Sequence, residues 1–493
     1  MHTPFFPSWR CTLAPLGRRS REAAASIRQA TLAQIEQRLA PALPGDLLQK
    51  PNARDYSRER IFPLFRTFWC WIWQILQFNT SCREVVRQVQ ALFALENGPV
   101  VDQGTGAYCQ ARDKMPLTLL EKALALSAKS AEPRSSPPKT LQARPIRVLD
   151  GSTVRLSDTP ANRKAYPPPT SLAKGCGFPL LKVVVLFSLA TGALLARATG
   201  NQFMHEVRIC EALRACLVKG DVIVADRAYA LYSVLAWLQS LGVDVIARVP
   251  TRLRRIDFRR VQKRYRAGEG LFTWNKPCKA SAFLPLAQWL GLPTVITVRI
   301  IRVQIPRPGF RTQPWTLVTT LLDPVLYPTA EIIAAYARRW RLEMCLDDLK
   351  TTLGMENLRC RSPQLVQKEL LAFFIAHNLL RWVMAEAAQN GQRALERISF
   401  KGSLDGFRQW TLALAQVGKS KRHAKKRAQL WAGLLKILAA DEVPERPGRR
   451  EPRAVKKRSK YPHLDCPRRT FRERLSRNKR RARSLARKRN SLI

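Results

Sequence analysis

Between residues 145 and 250, short β-branched runs alternate with amphipathic stretches, and this alternation constrains the fold more than any other feature of the chain. "PIRVLDGSTVRL" (145–156) reads as a strand. "LKVVVLFSLATGALLARAT" (181–199) reads as two apolar strands joined at Thr191–Gly192. "HEVRICEALRACLVKG" is a helix stopped by Gly220, and "DVIVAD" (221–226) is a short buried strand. "ALYSVLAWLQSLG" is a second helix, and "DVIARVP" (244–250) is another strand. Three early strands followed by alternating helix and strand specify an α/β domain with a mixed sheet.

Residues 251–314 break the alternation. They are rich in Arg and Pro with β-like runs such as "TVITVRIIRVQIP", and read as a β-rich insertion. "WTLVTTLL" (315–322) returns to a core strand, and Pro328–Thr329 opens a long helix. Before the α/β region, residues 1–127 read as helical, with a helical period in 20–50 and further helices through 61–95. Gly104 and Gly106 make a turn before "GAYCQARDKM", a polar helix stopped by Pro116. Tyr108, Gln110, Arg112 and Lys114 on it fit contact with DNA as well as they fit an ordinary solvated face. Residues 128–144 are a Pro/Ser/Lys linker, and 386–445 hold C-terminal helices. The tail 446–493 has 20 Lys/Arg against 3 Asp/Glu and little apolar periodicity, so it reads as disordered in isolation.

The net charge of +49 calls for a polyanionic partner, and nucleic acid is the commonest. A membrane surface is the competitor. The run "IFPLFRTFWCWIWQIL" (61–76) is interrupted by Arg66 and is too short to span a bilayer, so it reads as a buried amphipathic helix. The first twenty residues lack an apolar core followed by a cleavage site, and no secretory leader is expected. The eleven cysteines include no C-x-x-C pair and there are five histidines, which argues against a zinc site or a disulfide framework.

Acidic residues in so basic a chain mark places of interest. Asp150 ends the apolar run "PIRVLD", and Asp226 ends "DVIVAD". A carboxylate at the end of a buried strand is expensive unless something offsets its charge. Further on, "YARRWRLEMCLDDLK" (336–350) carries Glu343 among bases. On an ideal helix with Tyr336 at zero, Arg339 falls near ~300°, Glu343 near ~340° and Lys350 near ~320°, beside Leu342, Leu346, Leu349 and Leu353. A mixed-charge strip edging the core suits a site, and helix salt bridges are the alternative. With the two aspartates, Glu343 makes a set of three carboxylates suited to Mg²⁺, and two such ions about 3.5–4 Å apart serve phosphoryl transfer. Asp347, one turn beyond Glu343, is a second choice of ligand, while His205 and His377 read as structural.

These residues carry a family resemblance. "VLDGSTVRL", "GDVIVADRAY" and the spacing Y-x2-R-x3-E-x6-K resemble the DDE transposases of bacterial insertion sequences, in the subgroup with the Tyr-Arg-Glu-Lys signature, insertion sequence family four. The similarity extends over roughly residues 60–460, including "GTGAYCQAR" and "LVTTLLDP". The resemblance implies a ribonuclease-H-like catalytic domain over 145–250 and 315–385, interrupted by the β-rich insertion, and a DNA-binding role for the N-terminal helices. It implies that Asp150, Asp226 and Glu343 bind two Mg²⁺ ions, with Mn²⁺ able to substitute. Tyr336, Arg339 and Lys350 would grip phosphates near the transposon end. Trp315 would hold a base flipped from a DNA hairpin, and Arg227 would assist. The reaction implied is nicking, hairpin formation, hairpin opening and strand transfer, at terminal inverted repeats and a target in double-stranded DNA. By the same resemblance it would be carried out by a homodimer that pairs two ends, without a membrane, in the bacterial cytoplasm at the nucleoid. Two rivals stay open: a catalytically silent or domesticated sequence-specific DNA-binding protein, and a ribonuclease-H-like nuclease without transposition.

Overall fold

The computed structural model describes residues 38–44, 46–48, 61–77, 80–95, 98–132, 140–169, 177–250, 256–281, 283–304, 315–417 and 421–443. The basic tail 446–493 and most of the helical stretch over 20–50 lie outside the described residues.

Among the described residues, four α-helices precede the sheet: α1 (Leu64–Leu76), α2 (Cys82–Leu95), α3 (Gly106–Lys114) and α4 (Leu117–Ala131). The tryptophan-rich run forms α1, with Phe68, Trp69, Cys70, Trp71 and Ile72 buried in the core. Arg66 is half-buried and donates to the Ile61 carbonyl at 2.5 Å. Of Tyr108, Gln110, Arg112 and Lys114 on α3, two turn to the interior. Tyr108 donates to Gln74 Oε1 at 2.9 Å, and Arg112 lies over the rings of Trp71 and Tyr108. Gln110 and Lys114 face solvent. Helix α4 runs on to Ala131, so the first residues of the Pro/Ser/Lys segment are helical.

The sheet begins with β1 (Ile146–Leu156), β2 (Leu180–Ser188) and β3 (Leu194–Asn201), a meander whose neighbours are antiparallel. The short α5 (Glu206–Cys210) leads to β4 (Val222–Ala225), and α6 (Tyr232–Ser240) leads to β5 (Asp244–Arg248). β4 pairs parallel to β1 and β5 parallel to β4. The period of two along each strand sends alternate residues to opposite cores. Val148, Val183, Val185, Val222 and Val224 pack on one face, while Leu149, Val184, Leu186, Ile223 and Ala225 pack on the other against α6. Coverage on both faces explains why these strands read as unbroken apolar runs.

The strands β6 (Lys263–Arg266), β7 (Glu269–Asn275) and β8 (Val295–Val303) fall within the expected insertion. They continue the same sheet through β9 (Trp315–Thr319), giving the order β3-β2-β1-β4-β5-β9-β8-β7-β6. After β9 come α7 (Thr329–Arg338) and α8 (Trp340–Asp347), separated by a break at Arg339. A π-turn over Asp348–Thr352 follows, closed by Leu353 N donating to the Asp348 carbonyl at 2.9 Å. The two-residue β10 (Asn357–Leu358) pairs with the far end of β1.

A buried network fixes the start of α7. The Arg299 guanidinium of β8 donates to Glu269 Oε1 of β7, to Thr329 Oγ1 at 2.9 Å and to the Tyr327 carbonyl at 2.7 Å. The 28-residue α9 (Pro363–Asn390), with α10 (Phe400–Gln416) and α11 (Ala424–Ala440), completes the helical layer. Helix α9 is long and apolar enough to cross a membrane, but 94% of its most apolar window is buried inside the fold, where it is the spine of the core.

Candidate active site

Strand β1 is longer than its parallel neighbour, and this mismatch creates the site. β4 pairs with β1 only as far as Ala225 opposite Leu149. Asp150 and Asp226 therefore emerge together where β1 loses that partner. In open α/β sheets such carboxyl ends, next to a switch in strand order, are where ligands bind. Asp150 Oδ1 accepts from its neighbour's N–H, Gly151 N, at 2.9 Å. Asp226 Oδ1 accepts from Ala228 N at 2.7 Å and so caps a 3-10 turn over Arg227–Tyr229.

Helix α8 supplies the third acid. Asp150, Gly151, Ser152, Asp226, Arg339 and Glu343 line one cavity of about 460 Å³, with Leu346, Asp347, Lys350, Thr351 and Glu356. Arg339, at the break between α7 and α8, reaches Glu343 Oε1 at 2.9 Å and Asp150 Oδ2 at 3.8 Å. Burial pushes the Asp150 carboxyl up to about 6, opposed by the Gly151 N–H and Arg339 and reinforced by the charges of Asp226 and Glu343.

Not every residue of the Tyr-Arg-Glu-Lys strip faces the cavity. Arg339, Glu343 and Lys350 line it, while Tyr336 is buried behind it. The phenol of Tyr336 is held above its ordinary range by that burial, against the pull of Arg339 and Arg248. The Tyr336 ring meets Trp315 edge-on at 5.3 Å, and Arg248 lies 5.9 Å from the Trp315 ring centre. Trp315 is half-buried at the start of β9, outside the cavity lining. Arg227 is exposed and does not line the cavity either. Two other tryptophans, Trp274 and Trp289, are buried in the core. Asp347 lines the cavity and accepts from Thr351 Oγ1 at 2.8 Å. His205 caps α5 through Nδ1, and His377 is buried against Phe400.

Sequence reading passed over Ser152 and Glu356, which line the cavity without belonging to a recognisable run, and Arg248, whose place over Trp315 is a long-range contact. The acids are oxygen donors of the kind a hard divalent cation takes. Among the described residues, no three His, Cys, Asp or Glu side chains are close enough to hold a metal as they stand. One oxygen of Glu343, the third acid, is held by Arg339 at 2.9 Å.

Residues 141–379 match the family described as "Transposase DDE domain". Over 409 residues the chain is 24% identical to the transposase InsG for insertion sequence element IS4 of Escherichia coli (strain K12), covering 82% of this chain and 88% of that protein. Among solved structures it is similar to a chain of the cryo-EM structure of the piggyBac transposase synaptic complex with hairpin DNA. The TM-score is 0.38 and the identity 9%, with 85% of each chain covered.

Proposed function

The chain belongs to the DDE transposases, enzymes that act on DNA, and from that premise we propose that it moves an insertion sequence by cut-and-paste with Asp150, Asp226 and Glu343 as its catalytic acids. The observation that carries this reading is the convergence of three acids, from β1, the end of β4 and α8, on one cavity that also holds Arg339 and Lys350. The strand order 3-2-1-4-5, with β1, β4 and β5 parallel and β2 antiparallel, supports a ribonuclease-H-like core.

The three carboxylates would hold two divalent ions, Mg²⁺ with Mn²⁺ able to substitute. When bound, such ions lower the pKa of an attacking water and stabilise the leaving oxygen. Closing the set needs the Arg339–Glu343 pair to open. The freed guanidinium then suits bidentate pairing with a phosphate, beside Lys350 as a point charge. Tyr336 sits under Arg339, with the guanidinium 5.8 Å from its ring centre, and orients it from behind. Trp315 at the start of β9 is half-exposed and suits stacking on a base flipped from a hairpin tip. Arg227, exposed one residue past Asp226, adds a positive charge at the rim.

In this reading the substrate is double-stranded DNA with the element's terminal inverted repeats. Nicking, hairpin formation, hairpin opening and strand transfer follow in turn, within a homodimer that pairs two ends in the bacterial cytoplasm. The helices over 61–127 and the basic tail contribute further contacts to DNA. The test is incubation of the protein with labelled terminal-repeat DNA, with and without Mg²⁺. Hairpin-ended products that need Mg²⁺ support the reading. Random nicks point to a plain nuclease, and salt-sensitive binding without cleavage points to a silent binding protein. Asp150→Ala abolishes cleavage and spares binding; persistent cleavage removes Asp150 from the site.

A further inference from the structure

Arg112 of α3 is buried, with 8% of its surface exposed, and forms no ion pair with a carboxylate among the described residues. Its guanidinium lies 5.1 Å from the ring centre of Trp71 and 4.9 Å from that of Tyr108, and its Nε has no hydrogen-bond partner. An interior cation without an anion is costly. The groups that meet this one are sulfurs. Its Nη2 donates to Cys82 Sγ at 3.3 Å and to Cys109 Sγ at 3.6 Å. Cys82 opens α2 and Cys109 lies one turn before Arg112 on α3, so two helices bring their thiols to a single guanidinium.

Both thiols are free and half-buried, and they hydrogen-bond one another. The bond from Cys82 holds the Cys109 thiol down at about 5, against the cost of burial and with help from Arg112 and Thr105. The same bond, together with burial, pushes the Cys82 thiol up. A partly accessible sulfur beside an arginine is the setting of a reactive cysteine. Cys70, Cys210, Cys345 and Cys360 differ, since they are buried and burial pushes each thiol up.

We propose that Cys82 and Cys109 are a modification site, a dithiol that hydrogen peroxide closes to a disulfide, with Cys109 as the attacking sulfur and Cys82 as the resolving one. The Cys109 thiolate attacks one peroxide oxygen, the O–O bond breaks, and the hydroxide released takes up a proton and leaves as water. Cys109 is then a sulfenic acid. Cys82 attacks that sulfur, the S–O bond breaks as the S–S bond forms, and the hydroxyl leaves with the Cys82 proton as a second water. Peroxide gains the two electrons that the thiols lose. The site stands apart from the cavity of the three acids. It lies where the N-terminal helices meet the rest of the fold: Arg359, just after β10, donates to the Thr80 carbonyl at 3.2 Å, and Lys368 of α9 donates to the Asp113 carbonyl.

The test treats the full-length protein with limiting hydrogen peroxide, blocks the remaining thiols with iodoacetamide in denaturant, and maps the peptides by mass spectrometry with and without dithiothreitol. The expected product is a Cys82–Cys109 cross-linked peptide that dithiothreitol removes, formed before the exposed thiols of Cys216 and Cys278 are oxidised. Cys82→Ser stops the reaction at a Cys109 sulfenic acid, which dimedone captures. Arg112→Gln raises the pH midpoint of Cys109 alkylation by about 1–3 pH units. Earlier oxidation of Cys216 or Cys278 overturns the proposal, as does wild-type protein that accumulates the Cys109 sulfenic acid without the cross-link. A wild-type alkylation midpoint for Cys109 near about 8.5, that of an ordinary free cysteine, overturns it too.

Discussion

The Glu269–Arg299–Thr329 network anchors the start of α7, the helix that leads to Glu343, and its strength can be worked out. Arg299 is fully buried and Glu269 nearly so. Glu269 also accepts from Thr329 Oγ1 at 2.8 and 2.9 Å, and pairs with Arg266 at 2.5 Å. Glu269→Ala strands the guanidinium in the interior, a change that typically costs about 3–5 kcal/mol. Arg299 keeps the carbonyls of Tyr327 at 2.7 Å and Asp323 at 3.3 Å, which places the loss near the lower end, about 3 kcal/mol. The effect is local, because the network joins β7 and β8 to the first turn of α7. Hydrogen exchange read by mass spectrometry isolates those peptides without assuming a two-state transition in so large a chain. About 3 kcal/mol corresponds to roughly 150-fold faster exchange in β7, β8 and α7. Glu269→Gln keeps an acceptor and loses about 1.5–3 kcal/mol. The double change Glu269→Leu with Arg299→Met removes both charges and recovers most of the protection. Wild-type exchange in Glu269→Ala refutes the reasoning, as does a double variant less protected than the single one.

Three further outcomes follow from the site and its surroundings. Trp315→Ala slows hairpin formation by about 5- to 150-fold, from a stacking loss of about 1–3 kcal/mol, and leaves first-strand nicking intact; equal loss of both steps on a sequencing gel assigns Trp315 to packing alone. Lys350→Ala, as the loss of one phosphate contact, reduces the slope of log affinity against log salt by about 0.9; an unchanged slope takes Lys350 off the DNA. Burial, with the repulsion of Arg381, pushes the His377 imidazole down from 6.5 to about 3. Its contribution to stability is complete above about pH 6.5 and is lost as pH falls toward 3, by about 2 kcal/mol at pH 5. His377→Phe therefore flattens the decline in denaturant resistance between pH 7 and pH 5 by that amount, and an unaltered decline disproves the assignment.

The strands of the α/β region were legible because each is specified locally. Branched residues in short runs between turn-forming residues can do little else, and two-sided burial removes the polar alternation of a surface strand. Asp150 and Asp226 were legible for a related reason, as charges that end apolar runs. The helix angles were a weaker guide. They assume one regular helix, whereas the chain breaks at Arg339 and widens into a π-turn at Asp348–Thr352. Arg339, Glu343 and Lys350 still reach the cavity, but Tyr336 turns to the core. The β-rich stretch before Trp315 reads as a separate insertion, yet its strands extend the main sheet through β9. The pairing of β9 with β5 joins residues some seventy positions apart, and nothing in either run names its partner.

The amino-acid order by itself determined the elements, the extreme positive charge and the three acids that interrupt it, because propensity, burial pattern and charge are properties of short windows. Tertiary structure alone decided which side chains stand together. Glu206 lies 55 positions beyond Gly151 and rests against it only because the chain after β3 lays α5 on that face of the sheet. Arg299 is an interior charge only because Glu269 meets it from the next strand. Contacts of this kind depend on sheet register, which is set by hydrogen bonds between distant segments and by the packing of both faces.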